Sequence, residues 1–457
     1  MAEISCYITT FNCGRTLINT DFFATTLFNA LKTNLPPDLI VLCLQEVAPI
    51  SHSFLGGSLL TPYFDRFAEA VSLASSRKFG NENTETEYVP LLTRNVGMTA
   101  IMAFGLHHVA HRVRWSQTAG VGVGVYGEMG NKGAVGVRLG LGIDGEHEDI
   151  IMTFVAAHLA PMEEAWQRRN EDWKSICEGL SFEAPHASPE HAEQKRSLGS
   201  GENEPLLAGS SDGTTEHGKK AGTLFSPPSH LFFAGDLNYR TSDTRPDASE
   251  TKTWPQPVES ADDPHHYSHM LGHDQLTREL KKGKTLHNLA EAPINFPPTY
   301  KLSSGAQKNA VATTTEQHKL ADGRTVERTS LQPLAEAQDA WLWAQHRTPS
   351  WCDRILFLET AQPKIHAYTA LPIQPTSDHR PVALSCTVSA KPVTATVEST
   401  LTIRDDWRER RAAARRYELV VGLAAYLALT WEGEALVLGS VVGIVGGYIL
   451  LRALIAP

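Results

Sequence analysis

Leu231-Phe232-Phe233-Ala234-Gly235-Asp236-Leu237-Asn238-Tyr239-Arg240 decides how this chain is read: an apolar run stops at an acid, with an amide two residues further on. The run describes a sheet strand. In extended geometry residues at i and i+2 point to one side, so Asp236 and Asn238 are expected to address the same water. The same pattern, a short β-rich run passing into polar or small residues, recurs at 39–44, 98–104, 134–139 and 150–156. Residues 351–358 and 382–388 add two more strands. Helical spacing is confined in this part to 21–34 and 163–180. Strands outnumber helices, which predicts two packed sheets with outer helices, an α/β fold.

The chain has 457 residues and a formal charge of −10. An acidic balance argues against a general nucleic-acid binder, because neutralising phosphates needs a basic field over the contact surface. Cys6, Cys13, Cys43, Cys177, Cys352 and Cys386 show no CxxC spacing and several lie in apolar runs. They read as reduced, buried thiols of an intracellular protein. Residues 1–8 read as a first strand and lack the basic-then-apolar pattern of a signal peptide.

Two stretches break the pattern. Residues 183–229 turn to Ser, Gly, Glu, His and Pro, too poor in apolar surface to offset ordering entropy, and predict a disordered insertion. Residues 303–338 read as a second, loop-like insertion. The catalytic part is therefore expected over 1–390, a basic juxtamembrane linker over 391–416, and a membrane anchor over 417–457. Arg408, Arg410, Arg411, Arg415 and Arg416 precede an apolar tail that Glu432-Gly433-Glu434 divides at 419–431 and 435–451. A bilayer core needs about 20 apolar helical residues; the second piece, with Arg452 snorkelling, is long enough. A single C-terminal transmembrane helix is the preferred reading, with a membrane hairpin of both pieces or a buried helical hairpin as alternatives. Gly439, Gly443 and Gly447 recur every four residues, a spacing that permits close helix approach and self-association. The arginines predict a cytosolic domain near anionic headgroups, and the short tail favours the endoplasmic reticulum.

Polar clusters follow the strands. Asn12 closes the first run; Glu46 ends a strongly apolar one, where a carboxylate serves as a ligand for Mg²⁺ or as an ordinary strand-end charge. In Gly130-Asn131-Lys132-Gly133 the glycines permit a tight turn and Lys132 offers a point charge for phosphate, although this is also ordinary hairpin chemistry. His158 follows a strand, and Arg169-Asn170-Glu171-Asp172 lies on the next helix. Pro349-Ser350-Trp351-Cys352-Asp353-Arg354-Ile355-Leu356 and Ser377-Asp378-His379 supply an acid and a proton-handling pair.

Taken in order, Asn, Glu, His, Asp-x-Asn, Asp, Asp-His resembles the endonuclease/exonuclease/phosphatase superfamily. Within it, Gly-Asn-Lys-Gly-Ala-Val at 130–135, Arg169-Asn170-x-Asp172, Pro298-Thr299-Tyr300-Lys301 and Pro349-x-Trp351-Cys352-Asp353-Arg354 are similar to the inositol polyphosphate 5-phosphatases. The resemblance covers residues 4 to 388 apart from the insertions. It implies a two-sheet α/β sandwich and Mg²⁺-dependent removal of an inositol 5-phosphate by direct water attack. Glu46 and Asn12 would then hold the metal, Asp236 act as general base with Asn238 fixing the water, and His379 donate to the scissile phosphate with its tautomer set by Asp353. Asp378 would lie beside the metal, and His158 face the developing charge. Asn131, Lys132, Asn170, Arg240, Tyr300, Lys301 and Arg347 would contact phosphates.

One departure matters. The family usually carries Lys two residues before the position of Arg347; here it is Gln345, which puts strict demand for a 4-phosphate in question. An anchored domain points to membrane phosphoinositides, phosphatidylinositol 4,5-bisphosphate first. A nuclease of the same superfamily and a domain that only binds phosphoinositides are the competing readings. The acidic balance and Tyr300-Lys301 argue against the former, the retained Glu46, Asp236 and His379 against the latter.

Overall fold

The computed structural model describes residues 3–80, 86–142, 148–183, 222–319, 325–333, 341–397, 399 and 401–455. Its strands are β1 (Glu3–Asn12), β2 (Leu39–Gln45), β3 (Tyr88–Val96), β4 (Thr99–Leu106), β5 (Val113–Gly122), β6 (Gly133–Leu141), β7 (Ile150–His158), β8 (His230–Asp236), β9 (Leu289–Glu291), β10 (Val311–Lys319), β11 (Thr325–Pro333), β12 (Asp353–Leu358), β13 (Lys364–Ala370) and β14 (Val382–Ser389). The principal helices are α1 (Thr20–Leu27), α2 (Ile50–Leu55), α3 (Thr61–Phe79), α4 (Trp166–Gly179), α5 (Gln275–Lys281), α6 (Ser304–Asn309), α7 (Trp407–Leu429) and α8 (Trp431–Ile455).

Two six-stranded sheets, ordered β13-β14-β1-β2-β4-β3 and β5-β6-β7-β8-β12-β9, form the sandwich that the sequence predicts. Their inner faces share one core, in which Ile8, Val41, Cys43 and Ile101 join Val137, Phe154, Phe232 and Ile355. The outer face of the first sheet, with Ile40, Leu42 and Leu44, packs under Phe23 and Leu27 of α1 and Phe67 and Ala70 of α3. On the second sheet Val155 and Phe233 lie under Trp173 and Ile176 of α4. Central strands are thus buried on both faces, which is why they read as unbroken apolar runs without alternation.

This packing brings the polar strand ends to one rim. β1 and β2 run parallel with Asn12 opposite Gln45, and β7 and β8 run parallel with His158 opposite Asp236. β12 is antiparallel to β8 and enters the same rim with Asp353 opposite Asp236. All six cysteines are buried free thiols.

Four expectations change. The helix expected over 21–34 stops at Leu27: Asn19 caps its start by accepting from Phe22 N, and a turn in which Asn29 N donates to Thr26 O ends it. Most of the 183–229 insertion lies outside the described residues, but 222–229 belongs to the fold. There Leu224 and Phe225 are buried, and the Arg138 guanidinium donates to Thr223 O at 2.7 Å. The loop expected over 303–338 contains α6 and an antiparallel hairpin, β10 with β11. The basic stretch expected as a linker forms the first half of α7, and Glu432-Gly433-Glu434 lies in the first turn of α8. Among the described residues α8 is the one helix long and apolar enough to cross a membrane, with mean hydropathy 2.0 and none of its apolar window buried.

Candidate active site

Asp236 is the hub. Its Oδ2 accepts from Asn12 Nδ2 at 2.9 Å, lies 3.1 Å from His158 Nε2 and 3.8 Å from His379 Nε2. Its Oδ1 accepts from Asn238 N at 3.2 Å. On the far side of His379, Nδ1 lies 2.9 Å from Asp353 Oδ2, which also accepts from Thr299 Oγ1 at 2.7 Å. Ser377 fixes the loop by donating to Asn12 O at 2.6 Å and accepting from His379 N at 3.1 Å. The rings of Tyr300 and His379 lie 4.4 Å apart, and the Arg240 guanidinium sits 4.3 Å over Tyr300.

The charges follow from this geometry. Burial penalises a proton on His379, but Asp353 and Asp236 outweigh it and raise its pKa to about 9. Burial likewise opposes ionisation of Asp236, yet the positive charges around it, His379 first, hold it well below the usual carboxylate range. Burial pushes Asp353 up while His379 beside it pulls down. His158 is lowered by burial and by Lys132, so it stays neutral. The centre thus holds a proton on His379, between Asp353 and an anionic Asp236, with His158 on the other side of Asp236.

A second group adjoins it. Lys132 Nζ contacts His158 Nε2 in a very short approach and lies 3.8 Å from Glu46 Oε1. Glu46 follows β2 directly with a left-handed φ of 46°, which turns its side chain out of the strand course, and Arg15 donates to its Oε2 at 2.7 Å. Burial raises its pKa, but the cations beside it, Lys132 and Arg15, bring it below its ordinary value. Asn12 Oδ1 accepts one bond, from Gly14 N at 3.1 Å, and has a second lone pair. One anionic carboxylate beside one amide oxygen is a donor set that fits Mg²⁺, which keeps several waters and takes further oxygens from substrate phosphate. Asp236, Asp353 and His379 also bring three ligand-type atoms within 4.8 Å of one another. The hydrogen bond of Asp353 to His379, with the other ring nitrogen facing Asp236, reads as acid-base chemistry.

The other expected residues divide. Lys301 Nζ pairs with Asp378 Oδ2 at 2.7 Å on the rim, so Asp378 has a cation partner from the chain itself. Next to them a cavity of about 470 Å³ is lined by Lys301, Ser303, Gln307, His346 and Asp378 among others. Arg347 is engaged by Glu163 Oε2 at 2.9 Å. Asn131 holds the preceding loop by accepting from Val125 N at 3.0 Å. Both ends of the Asn170 amide are taken up inside the fold, by Glu279 at 3.0 Å and Tyr239 OH at 2.8 Å. Its neighbours in the motif build the loop after His158: Asp172 accepts from Ala160 N, and buried Arg169 donates to Ala160 O and Met162 O.

The extended geometry expected for 236–238 does not hold. Asn238 has φ 57°, its Nδ2 donates to Leu159 O at 3.2 Å and its Oδ1 contacts the Arg240 guanidinium. It therefore braces the end of β7 as well as Asp236. Sequence reading assigned no role to Arg15, Thr299, Ser377 or Arg354. Thr299, Ser377 and Arg354 lie within the polar motifs, and Arg354 is wholly buried between Asp274 at 3.0 Å and Glu291 at 2.5 Å.

The family model described as Endonuclease/Exonuclease/phosphatase family 2 matches residues 9–385. Similar proteins include inositol-1,4,5-trisphosphate 5-phosphatase 1 of Schizosaccharomyces pombe, 25% identical over 299 residues, or 65% of this chain and 19% of that protein. The type II inositol 1,4,5-trisphosphate 5-phosphatase of Mus musculus is 26% identical over 352 residues, or 76% of this chain and 26% of that protein. The chain thus spans about a fifth to a quarter of the length of these relatives. The crystal structure of the inositol polyphosphate 5-phosphatase domain of spsynaptojanin, solved with inositol (1,4)-bisphosphate and a calcium ion, superposes with a TM-score of 0.56 at 19% identity. It covers 91% of this chain and 90% of that one, and supports the fold.

Proposed function

The chain belongs to the endonuclease/exonuclease/phosphatase family, and on that premise we propose that it is a Mg²⁺-dependent phosphatase that removes the 5-phosphate of phosphoinositides. The observation that carries the reading is the buried Asp353–His379–Asp236 arrangement beside Lys132 and Glu46. Its relatives are named as inositol phosphate 5-phosphatases. Phosphatidylinositol 4,5-bisphosphate, converted to phosphatidylinositol 4-phosphate, is the substrate proposed, at the cytosolic face of a membrane entered by α8, with the endoplasmic reticulum as the membrane.

Asp236 remains anionic, orients a water through its Oδ2 and takes its proton as the new oxygen–phosphorus bond forms and the bond from phosphorus to the inositol 5-oxygen breaks; the departing alkoxide then takes a proton from solvent. His379, protonated and steered by Asp353, donates to the scissile phosphate and stabilises its growing charge. Lys132 adds a second cation on the side of Glu46. Glu46 and Asn12 would hold Mg²⁺, which supplies charge neutralisation on the phosphoryl and leaving oxygens. Arg240 has a buried Nη1 without a partner among the described groups, a donor available to a phosphate. Lys301 can exchange Asp378 for the neighbouring ring phosphate. The test is phosphate release by the full chain from vesicles containing phosphatidylinositol 4,5-bisphosphate with Mg²⁺, against phosphatidylinositol 4-phosphate as control. Equal release from both, or none from the first, overturns the assignment.

A further inference from the structure

α7 stands between the membrane helix and the catalytic rim. Only Thr430 separates it from α8, and the corner is tied: Thr430 Oγ1 donates to Tyr426 O at 2.6 Å, and Glu434 N donates to Thr430 O at 2.9 Å. Along its other end α7 is fastened to the domain by charge. Arg410 pairs with Glu128 at 2.7 Å, Arg411 donates to Gly120 O, and Arg415 donates to Phe54 O of α2 at 2.5 Å. Gly422 lies against Phe54 and Leu55, where a Cβ would come within 2.9 Å of the Phe54 side chain.

At the centre of this contact is Glu418. Its side chain is 6% exposed, and Oε1 accepts from Gly130 N at 2.6 Å across 288 residues of sequence. Gly130 begins the turn that carries Lys132. Its carbonyl accepts from Met98 N at 2.9 Å, and Met98 O accepts from Val47 N, the residue after Glu46. Gly97 and Gly130 approach so closely that a Cβ on either would collide with the other's backbone. One buried carboxylate on the anchor helix thus holds a backbone chain that ends at both Lys132 and Glu46.

We propose that Glu418 is a positioning residue for the phosphatase reaction, and that α7 makes the anchor part of the catalytic scaffold, beyond its role as a tether. The inference rests on the phosphatase reading. Truncating a charge-assisted acceptor at a buried N–H frees the turn, and small displacements of a catalytic cation are felt strongly in turnover.

Full-length protein in detergent micelles, assayed on soluble inositol 1,4,5-trisphosphate with Mg²⁺, removes membrane targeting from the measurement. Glu418→Ala is expected to lower kcat by about 30-fold with KM within about 3-fold. Glu418→Gln, whose amide oxygen still accepts from Gly130 N, should stay within about 5-fold of wild type. Amide hydrogen exchange should rise over 128–133 in the alanine variant while β1 and β14 stay protected. Unchanged kcat in Glu418→Ala, a change in KM alone, equal losses in both variants, or lost protection throughout β1 and β14 would each overturn the proposal. A wild-type chain that releases no phosphate would mark failure of the activity reading instead. The exchange pattern then decides the coupling alone, and unaltered exchange over 128–133 in Glu418→Ala overturns it.

Discussion

The floor and the rim of the site are held by different forces. Asn12, His158, Asp236, Asn238, Asp353 and His379 on the floor are each at most 4% exposed, and nearly every polar atom there is tied to a neighbour. On the rim the side chains of Lys301 and Asp378 remain 25% and 28% exposed and pair chiefly with each other. A buried network fixes geometry because breaking any member leaves the rest desolvated and unpaired. A half-open ion pair holds little energy and is readily exchanged for a ligand charge. The contrast assigns chemistry to the floor and choice of substrate to the rim.

The hardest blow to that division is Asp236→Asn, which keeps shape and removes the charge. We expect kcat to fall by about 10³-fold or more with the fold retained, measured as phosphate release alongside thermal melting. Turnover near the wild-type rate would break the assignment of the floor. Next in size is Asp353→Asn, expected to cost about 10²-fold in kcat and to move the alkaline limb of the pH profile downward. The sign follows from His379: its pKa is raised to about 9, so the catalytic imidazolium persists to about that pH and is lost above it. Without Asp353 the proton leaves at lower pH. The same proton favours the folded chain, fully below about pH 6.5 and no longer above about pH 9. An alkaline limb that ignores the substitution would detach His379 from the reaction.

The floor was more legible in the sequence than the rim, for a physical reason. An acid, an amide or a histidine at the end of a strand buried on both faces is conspicuous; strand register then brings His158, Asp236 and Asp353 together, and the packing of one sheet on the other brings Asn12 to them. Backbone conformation was not legible: Asn238 at φ 57° replaces the extended geometry that spacing alone suggests. Nor were long-range pairings. Asn170 is expected at a phosphate only through its motif's resemblance to the family, and its amide pairs with Glu279 and Tyr239. The bond from Gly130 N to Glu418 likewise depends on how α7 docks, and no local pattern around Glu418 announces it. The β10–β11 hairpin has few large apolar residues to announce it, and its one local signal is the β-branched run Thr313-Thr314-Thr315, which favours a strand.

On the rim the effects should be smaller and appear in KM. Lys301→Ala removes the cation nearest the cavity beside Asp378, and is expected to raise KM for inositol 1,4,5-trisphosphate by about 10-fold with kcat within about 3-fold. A loss confined to kcat would place Lys301 on the floor in function and erase the distinction between the two regions.

The smallest expected effect tests the rim at its least constrained point. Gln345 is exposed and stands next to His346, which lines the cavity with Lys301. Burial, followed by the nearby charges of Lys301 and Arg347, lowers the His346 pKa, so at neutral pH this residue brings no full cation to the cavity. Gln345→Lys would add one in a solvated position, where an ion pair contributes about 0.5–1 kcal/mol. That converts to a gain of about 2- to 5-fold in kcat/KM. The gain should appear for a substrate carrying a 4-phosphate and not for one lacking it if the family's usual Lys at this place serves that phosphate. Because the new ammonium is exposed, the gain should also fade as ionic strength rises, whereas the losses from Asp236→Asn and Asp353→Asn should not. Equal gains on both substrates would mean that residue 345 acts through general attraction of anions, and that selection for the 4-phosphate is made elsewhere on the rim.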